Sequence, residues 1–238
     1  MKISHGSLVV EAELPLVDRS MHVAVKRLRP KTVWKALAYL FRRGRAPEAW
    51  YRGHALLARG ISTARPLVVY QPAGGTLFRE GFLLTQWLTV RKTCTFTAGN
   101  WRRAMNGFAV VAPSNRPRCS ASSSVGCTTK VSAHRDLKGN NLLLRERADD
   151  VEAFLIDLDG LRQLRRVPFN ICVKGLTRLA VSAKLHPWIS RTDHLRFLLR
   201  YLREMPENRR TWKTWWRAVN RSLEESLAEI RVAGKAIA

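Results

Sequence analysis

The stretch His134-Arg135-Asp136-Leu137-Lys138-Gly139-Asn140-Asn141 constrains this chain more than any other. It sets a histidine, an acid, two cations and two adjacent amides in a short loop, then gives way to Leu142-Leu143-Leu144. A second apolar run, Phe154-Leu155-Ile156, ends in Asp157-Leu158-Asp159-Gly160, an acidic turn closed by glycine. The bland reading is a charged loop ahead of an apolar strand. Such a loop needs solubility and turn residues, but no fixed order of base, cation and amide. Here the order is H-R-D-L-K-x-x-N.

That order resembles the catalytic and metal-binding loops of protein-kinase-like phosphotransferases. Phosphoryl transfer is mostly positioning and charge neutralisation, so it needs few residue types in fixed places. An Asp must accept the attacking hydroxyl's proton, and a Lys or Arg must offset charge on the moving phosphoryl group. An Asn and a second Asp must hold Mg²⁺ against the triphosphate of ATP. The resemblance implies Asp136 as catalytic base, Lys138 as γ-phosphate contact, and Asn141 with Asp157 as metal ligands. Asp159 stands where a protein kinase has Gly. It is either a second carboxylate near the metal or a solvated turn acid.

Upstream, residues 8–14 and 22–26 read as strands separated by the polar turn Asp18-Arg19-Ser20. They resemble the second and third strands of a kinase small lobe. Val23-Ala24-Val25-Lys26 matches the V-A-I-K pattern, whose Lys pairs with the nucleotide phosphates. Residues 33–43 and 47–59 read as helices, with Pro47 at a first helical position and Gly60 as the stop. Glu48, in the first turn, is the candidate partner of Lys26; the plainer reading is an acid favoured by the helix dipole. Residues 66–71 and 82–88 read as the fourth and fifth strands, around the turn Ala73-Gly74-Gly75. From Gln86 to Leu88 would run the interlobe hinge, whose backbone groups face adenine. No glycine-rich phosphate loop is visible. His5-Gly6-Ser7 sits in its place, and little remains upstream for a first strand. Either the loop is degenerate or the chain starts late.

One branch matches better than kinases in general. Trp34-Lys35-Ala36-Leu37, the Arg-Ala-x-x-Ala-Trp run from Arg45 to Trp50, Gly53-His54-x-Leu56 and Arg59-Gly60-Ile61-x-Thr63-x-Arg65-Pro66 resemble the lipopolysaccharide kinase (Kdo/heptose kinase) family. So do Ser132 to Leu144, Leu155 to Arg162, and Arg191-Thr192-x-x-x-Arg196-Phe197-Leu198-x-x-Tyr201. The resemblance implies an α+β, two-lobed protein-kinase-like fold: a small antiparallel-sheet lobe, a larger helical lobe, and no typical activation segment. No A-P-E triplet follows Asp157. It also implies ATP and Mg²⁺ as cofactors and a sugar hydroxyl of a lipid-linked core as acceptor, at the cytoplasmic face of the inner membrane. The lobes would be residues 1–88 and 134–238.

Residues 89–133 do not fit between them. No Asp or Glu occurs between Glu80 and Asp136, although Arg and Lys continue, and residues 113–124 are rich in Pro and Ser. The kinase fold needs a long amphipathic helix here, beneath the catalytic loop, and residues 113–124 lack the 3.6-residue period. Reading the third base of each codon with the first two of the next, Thr89 to Trp101 can spell D-G-A-E-N-L-H-L-Y-G-W. Ser120 to His134 can spell G-L-L-V-G-R-M-H-D-K-G-V-S-H, running directly into Arg135. Both ends use the same alternative frame and look like what the family carries there. The pattern points to compensating indels near residues 88–90 and 133, with the printed segment disordered.

Composition adds limits. A chain of 238 residues can bury a sizeable core. No apolar run approaches the ~18–20 residues of a membrane span. The N-terminus lacks a signal-peptide pattern, so the expected location is cytoplasmic, peripheral on the inner membrane. The net charge of +24 would suit nucleic acid, an anionic membrane face or a phosphorylated substrate. Arg outnumbers Lys 31 to 11, which equally fits a G+C-rich genome. The basic residues are scattered and no zinc finger, RNP motif or basic zipper occurs, so no specific nucleic acid is expected. Cys94, Cys119, Cys127 and Cys172 form no C-x-x-C pair, which argues against a zinc site or disulfide framework. Residues 174–185, 191–204 and 208–231 read as helices. Trp212, Trp215 and Trp216 form a core stripe on the last, with a membrane-facing aromatic-basic face as the minority reading. His186 and His194 receive no role.

Three functions stay open at this point: a sugar-hydroxyl kinase, a protein or other small-molecule kinase on the same scaffold, and an inactive frame-shifted relative or basic module.

Overall fold

The computed structural model describes residues 2–4, 7–29, 44–72, 80–89, 131–134, 136–146, 151–164, 167–203, 205 and 211–234. The architecture is α+β, antiparallel strands with helices, in two compact units: Met1–Ala58 with Thr63–Thr89, and Arg59–Ser62 with Val90–Ala238.

The first unit holds strands β1 (Lys2–Ser4), β2 (Ser7–Pro15) and β3 (Ser20–Leu28), helix α1 (Arg45–Leu57), and strands β4 (Pro66–Tyr70) and β5 (Gly81–Gln86). They form one antiparallel sheet in the order β1-β2-β3-β5-β4. A first strand therefore does exist, contrary to the sequence expectation. Lys2–Ser4 is too short to show a period, yet it pairs with β2 from Lys2↔Val9 to Ser4↔Ser7. The helix expected at 33–43 and the turn at 73–75 lie outside the described residues.

Helix α1 opens at Arg45, two residues before the expected start. Pro47 thus takes the third helical position, where its missing N–H still costs no intrahelical bond. Past the helix end, Gly60 has φ of +70°, the left-handed conformation expected of a stop. The helix lies against β4 and β5. At Gly81 a Cβ atom would come within 2.6 Å of the Ala46 Cβ, so only glycine permits this approach. Val23, Leu28, Leu56 and Leu83 are almost fully enclosed, each contributing about 1.5–3 kcal/mol of apolar burial.

In the second unit, β6 (Val131–His134), β7 (Leu142–Glu146), β8 (Val151–Leu155) and β9 (Leu161–Leu164) make two antiparallel pairs, β6 with β9 and β7 with β8. Of the segment expected to be anomalous, only Thr89 and Val131–Ala133 are described, the latter as the start of β6. Residues 59–62 side with this unit rather than with the N-terminal lobe. Their anchors are the Leu155 N–H on the Ser62 carbonyl at 3.0 Å and the Ser62 hydroxyl on Glu152 at 2.8 Å.

Three helices follow: α2 (Phe169–Ala183), α3 (Arg191–Arg203) and α4 (Trp212–Val232). α2 begins earlier than its periodicity predicts, immediately after Pro168. α3 starts at a reciprocal cap. The Asp193 N–H donates to the Ser190 hydroxyl oxygen at 3.1 Å, and the Ser190 N–H to the Asp193 carboxylate at 3.1 Å. Of the tryptophan stripe, Trp215 is the core member, 2% exposed, with its ring 4.5 Å from Phe169 and 6.4 Å from Tyr201. Trp212 and Trp216 are half-buried. Cys172 is a buried free thiol hydrogen-bonded to Tyr201, and burial pushes both groups above their ordinary pKa. Among the described residues, no helix is long and apolar enough to cross a membrane.

Candidate active site

Strand register assembles the charged loops. Leu142 pairs with Leu155, so Asn141, just before β7, meets Ile156, just after β8. The Ile156 N–H donates to the Asn141 carbonyl at 3.0 Å, and Asp157 is the next residue. In the other ladder His134 pairs with Leu161. The loop carrying Asp136 thereby lies beside the turn Leu158–Gly160.

His134 ties the two loops together. Its Nδ1 accepts the Asp136 backbone N–H at 3.2 Å, while its Nε2–H donates to the Asp157 carbonyl at 2.5 Å. A neutral imidazole has one donor and one acceptor, and this arrangement uses both. Burial pushes the His134 pKa below its ordinary value, against the Asp157 and Asp136 groups that pull it upward. The neutral form is the one both bonds require. Gly160 makes room for the ring: a Cβ there would stand 2.8 Å from the imidazole Cε1.

Asn141 is buried, and its Nδ2 donates to the Asp136 carbonyl at 2.7 Å. Its Oδ1 is then the end able to ligate a cation. Mg²⁺ is usually held by one or two carboxylates together with phosphate oxygens and water, not by an all-protein cage. Asn141 Oδ1 with the Asp157 carboxylate is a donor set of that kind. Among the described residues no cluster of three or more His, Cys, Asp or Glu side chains gathers. Asp159 contributes backbone to the turn, and its side chain lies outside the described residues.

The Asp136 carboxylate is 43% exposed and faces two cations. Lys138 Nζ lies 3.5 Å from Oδ2, and Arg178 Nη1, from α2, lies 3.8 Å from Oδ1. The structure thus brings Asp136, Lys138, Asn141 and Asp157 to one place. It adds two residues to which the sequence assigns no role: His134, visible in the motif, and Arg178, for which no local signal exists.

Lys26, Glu48, Gln86 and Leu88 belong to the first unit. Lys26 sits mid-strand, opposite Val9 on β2 and Leu83 on β5. Directly opposed residues share a sheet face and side chains alternate along a strand. Lys26 therefore shares the face of Gly81, which is the face that α1 covers. Glu48 stands in the first turn of α1 and pairs with Arg52, one turn on. At the end of β5 the Gln86 N–H is spent on the Arg65 carbonyl at 2.9 Å, and the Trp87 N–H on the His22 carbonyl at 3.1 Å. Leu88 follows them, half-buried.

No family model and no curated protein sequence matches this chain. Solved structures do. One, WaaP in complex with acyl carrier protein, is similar with a TM-score of 0.63 over 94% of this chain and 87% of the other, at 20% sequence identity. The chain has a WaaP-like kinase fold.

Proposed function

We propose that the protein is an ATP-dependent, Mg²⁺-requiring kinase that phosphorylates a sugar hydroxyl of a lipopolysaccharide core or a similar envelope glycolipid. The observation that carries this reading is the His134 bridge. One buried ring holds the backbone of Asp136 and the backbone of Asp157 together, with Asn141 bonded to Asp136 between them. A merely charged loop has no need of that linkage. Bound ATP and Mg²⁺ would supply the transferable phosphoryl group and neutralise charge on the phosphates.

The residues divide the remaining work. Asp136 takes the proton from the attacking hydroxyl as its oxygen bonds to the γ-phosphorus and the bond to the departing ADP oxygen breaks. Lys138 places positive charge on the moving phosphoryl oxygens. Asn141 and Asp157 hold the metal, with Asp159 as a further carboxylate. Lys26, on the sheet face that α1 covers, fixes the nucleotide phosphates, and Glu48 would aim it on leaving the Arg52 guanidinium with which it pairs in this structure. Because the Gln86 and Trp87 amides serve the sheet, the adenine-facing donors of this stretch begin at Leu88. A protein acceptor is the weaker reading, since no A-P-E segment follows Asp157. A surface of net charge +24 suits an anionic inner-membrane face, where such an acceptor resides.

The test is transfer of labelled γ-phosphate from ATP to core glycolipid by the parent chain and by Asp136→Ala. A positioned general base contributes about 10²–10⁴-fold, and a loss in that range is expected. Turnover unchanged by the substitution would remove Asp136 from the chemistry.

A further inference from the structure

We propose that Arg178, backed by Lys174, binds an anionic group carried by the acceptor next to the hydroxyl that is phosphorylated. The inference rests on Asp136 being the base of the kinase reading. It begins with the composition of α2. The helix contains two cations, Lys174 and Arg178, and no acid. Its buried positions Cys172, Val173, Gly175, Leu176, Thr177 and Leu179 fix its rotation. Asn170, Lys174 and Arg178, spaced at i, i+4, are left as one exposed stripe. Two like charges a turn apart on a helix cost stability unless an anion meets them.

The stripe ends at the base. Arg178 Nη1 is 3.8 Å from Asp136 Oδ1, which is ion-pair range but beyond a hydrogen bond. Among the described residues Asp136 is the only ion-pair partner of Arg178, and Lys174 has none. Asp136 also faces Lys138 at 3.5 Å, so a single carboxylate stands against two cations with a third one turn away. Among these groups the cations outnumber the carboxylate they face. Arg178 is 50% exposed, so its guanidinium is accessible.

Geometry then selects the ligand chemistry. A hydroxyl delivering its proton to Asp136 must come within about 2.6–3.2 Å of the carboxylate. The atoms flanking that hydroxyl fall within reach of Arg178. The planar guanidinium fork matches a carboxylate or a phosphate with two parallel bonds, which Lys does not. Lys138 would thus serve the transferred phosphoryl group and Arg178 the acceptor.

The test separates this proposal from the kinase reading by measuring binding without transfer. Calorimetric titration uses methyl glucuronide against its methyl ester, and glucose 6-phosphate against glucose, on the parent chain and on Arg178→Ala, Arg178→Lys and Lys174→Ala. These positions are exposed, so the variants should fold, and circular dichroism confirms it. At least one anionic probe should bind better than its neutral counterpart. Arg178→Ala should weaken it about tenfold, or roughly 1.4 kcal/mol. Arg178→Lys should restore part of that affinity, and Lys174→Ala should lose less. The probe bound more tightly identifies carboxylate or phosphate as the recognised group.

Equal affinity for charged and neutral probes, or anion affinity untouched by Arg178→Ala, overturns the proposal even if Asp136-dependent transfer is observed. Arg178-dependent anion binding without any transfer upholds the anion site but overturns the kinase reading, and with it the assignment of that anion to a phosphorylated acceptor. Where transfer is measurable, Arg178→Ala should raise the acceptor KM about tenfold at nearly constant kcat. A fall in kcat at constant KM would place Arg178 with the γ-phosphate instead and overturn the assignment.

Discussion

An added methyl group at Gly160 has nowhere to go. It would meet the His134 ring at 2.8 Å, and that ring is pinned on both sides by Asp136 and Asp157. Gly160→Ala should therefore cost about 1–3 kcal/mol, the usual range for overpacking. For a chain of this size each kcal/mol lowers the melting temperature by roughly 2–4 °C. Phosphoryl transfer should fall as well, measured at a temperature where the variant is still folded, because the displaced ring loosens both loops. A variant that melts and turns over like the parent would show that the ring has room to shift. The grouping of Asp136, Lys138 and Asn141 is legible in the sequence because their spacing is local, whereas Asp157 joins them through the pairing of β7 with β8. The bridging role of His134 is not, since a loop histidine has many uses. Arg178 is hidden for a different reason. A cation on an exposed helix stripe looks like any solvated charge until the fold sets it beside Asp136.

The packing of α3 against α2 and α4 leaves a second histidine under constraint. His194 contributes to an apolar pocket with Leu176, Leu179, Phe197, Leu198 and Trp216, and its buried Nε2 has no hydrogen-bond partner among the described residues. Burial pushes its pKa below 6.5, Lys184 pushes the same way, and Asp193 opposes. Below pH 6.5 the unfolded chain takes up a proton that the folded chain refuses. Stability should then fall as pH drops from 6.5 towards the folded value, by about 1.4 kcal/mol for each unit of lowering. Melting curves from pH 7.5 to 5 should show this loss, and His194→Leu should lose less. Part of the slope will remain, because His134 and His186 are also lowered by burial. An identical slope in the variant would relieve His194 of the effect. Among the elements themselves, the nine-residue strands β2 and β3 are legible from alternation and turn residues. The three- and four-residue strands β1, β6 and β9 are not, because so few positions hold no period and tertiary pairing alone makes them strands.

The two units carry their motifs in the order the kinase reading requires, yet the printed stretch between Thr89 and Val131 lacks any acid, and its residues 113–124 lack a helical period. Freely chosen synonymous codons can spell acids at both ends of the stretch in one alternative frame, and that frame would rejoin the printed one just before Arg135. The physical stake is large. Leaving a core helix unformed beneath Asp136 would remove several kcal/mol from a domain whose total stability is only ~5–15 kcal/mol. Two chains should be compared, identical outside residues 89–133, one with the printed segment and one with the alternative-frame segment. The alternative-frame chain should melt cooperatively at the higher temperature and should transfer phosphate more rapidly. An independent DNA read across codons 85–137 should show the single-base differences that restore that frame. If the printed chain instead melts as high and turns over as fast, the indel reading fails, and residues 89–133 as printed suffice to support the loop of Asp136. The comparison also decides between enzyme and inactive relative, since both chains carry the same Asp136, Lys138, Asn141 and Asp157 and differ only in what holds them.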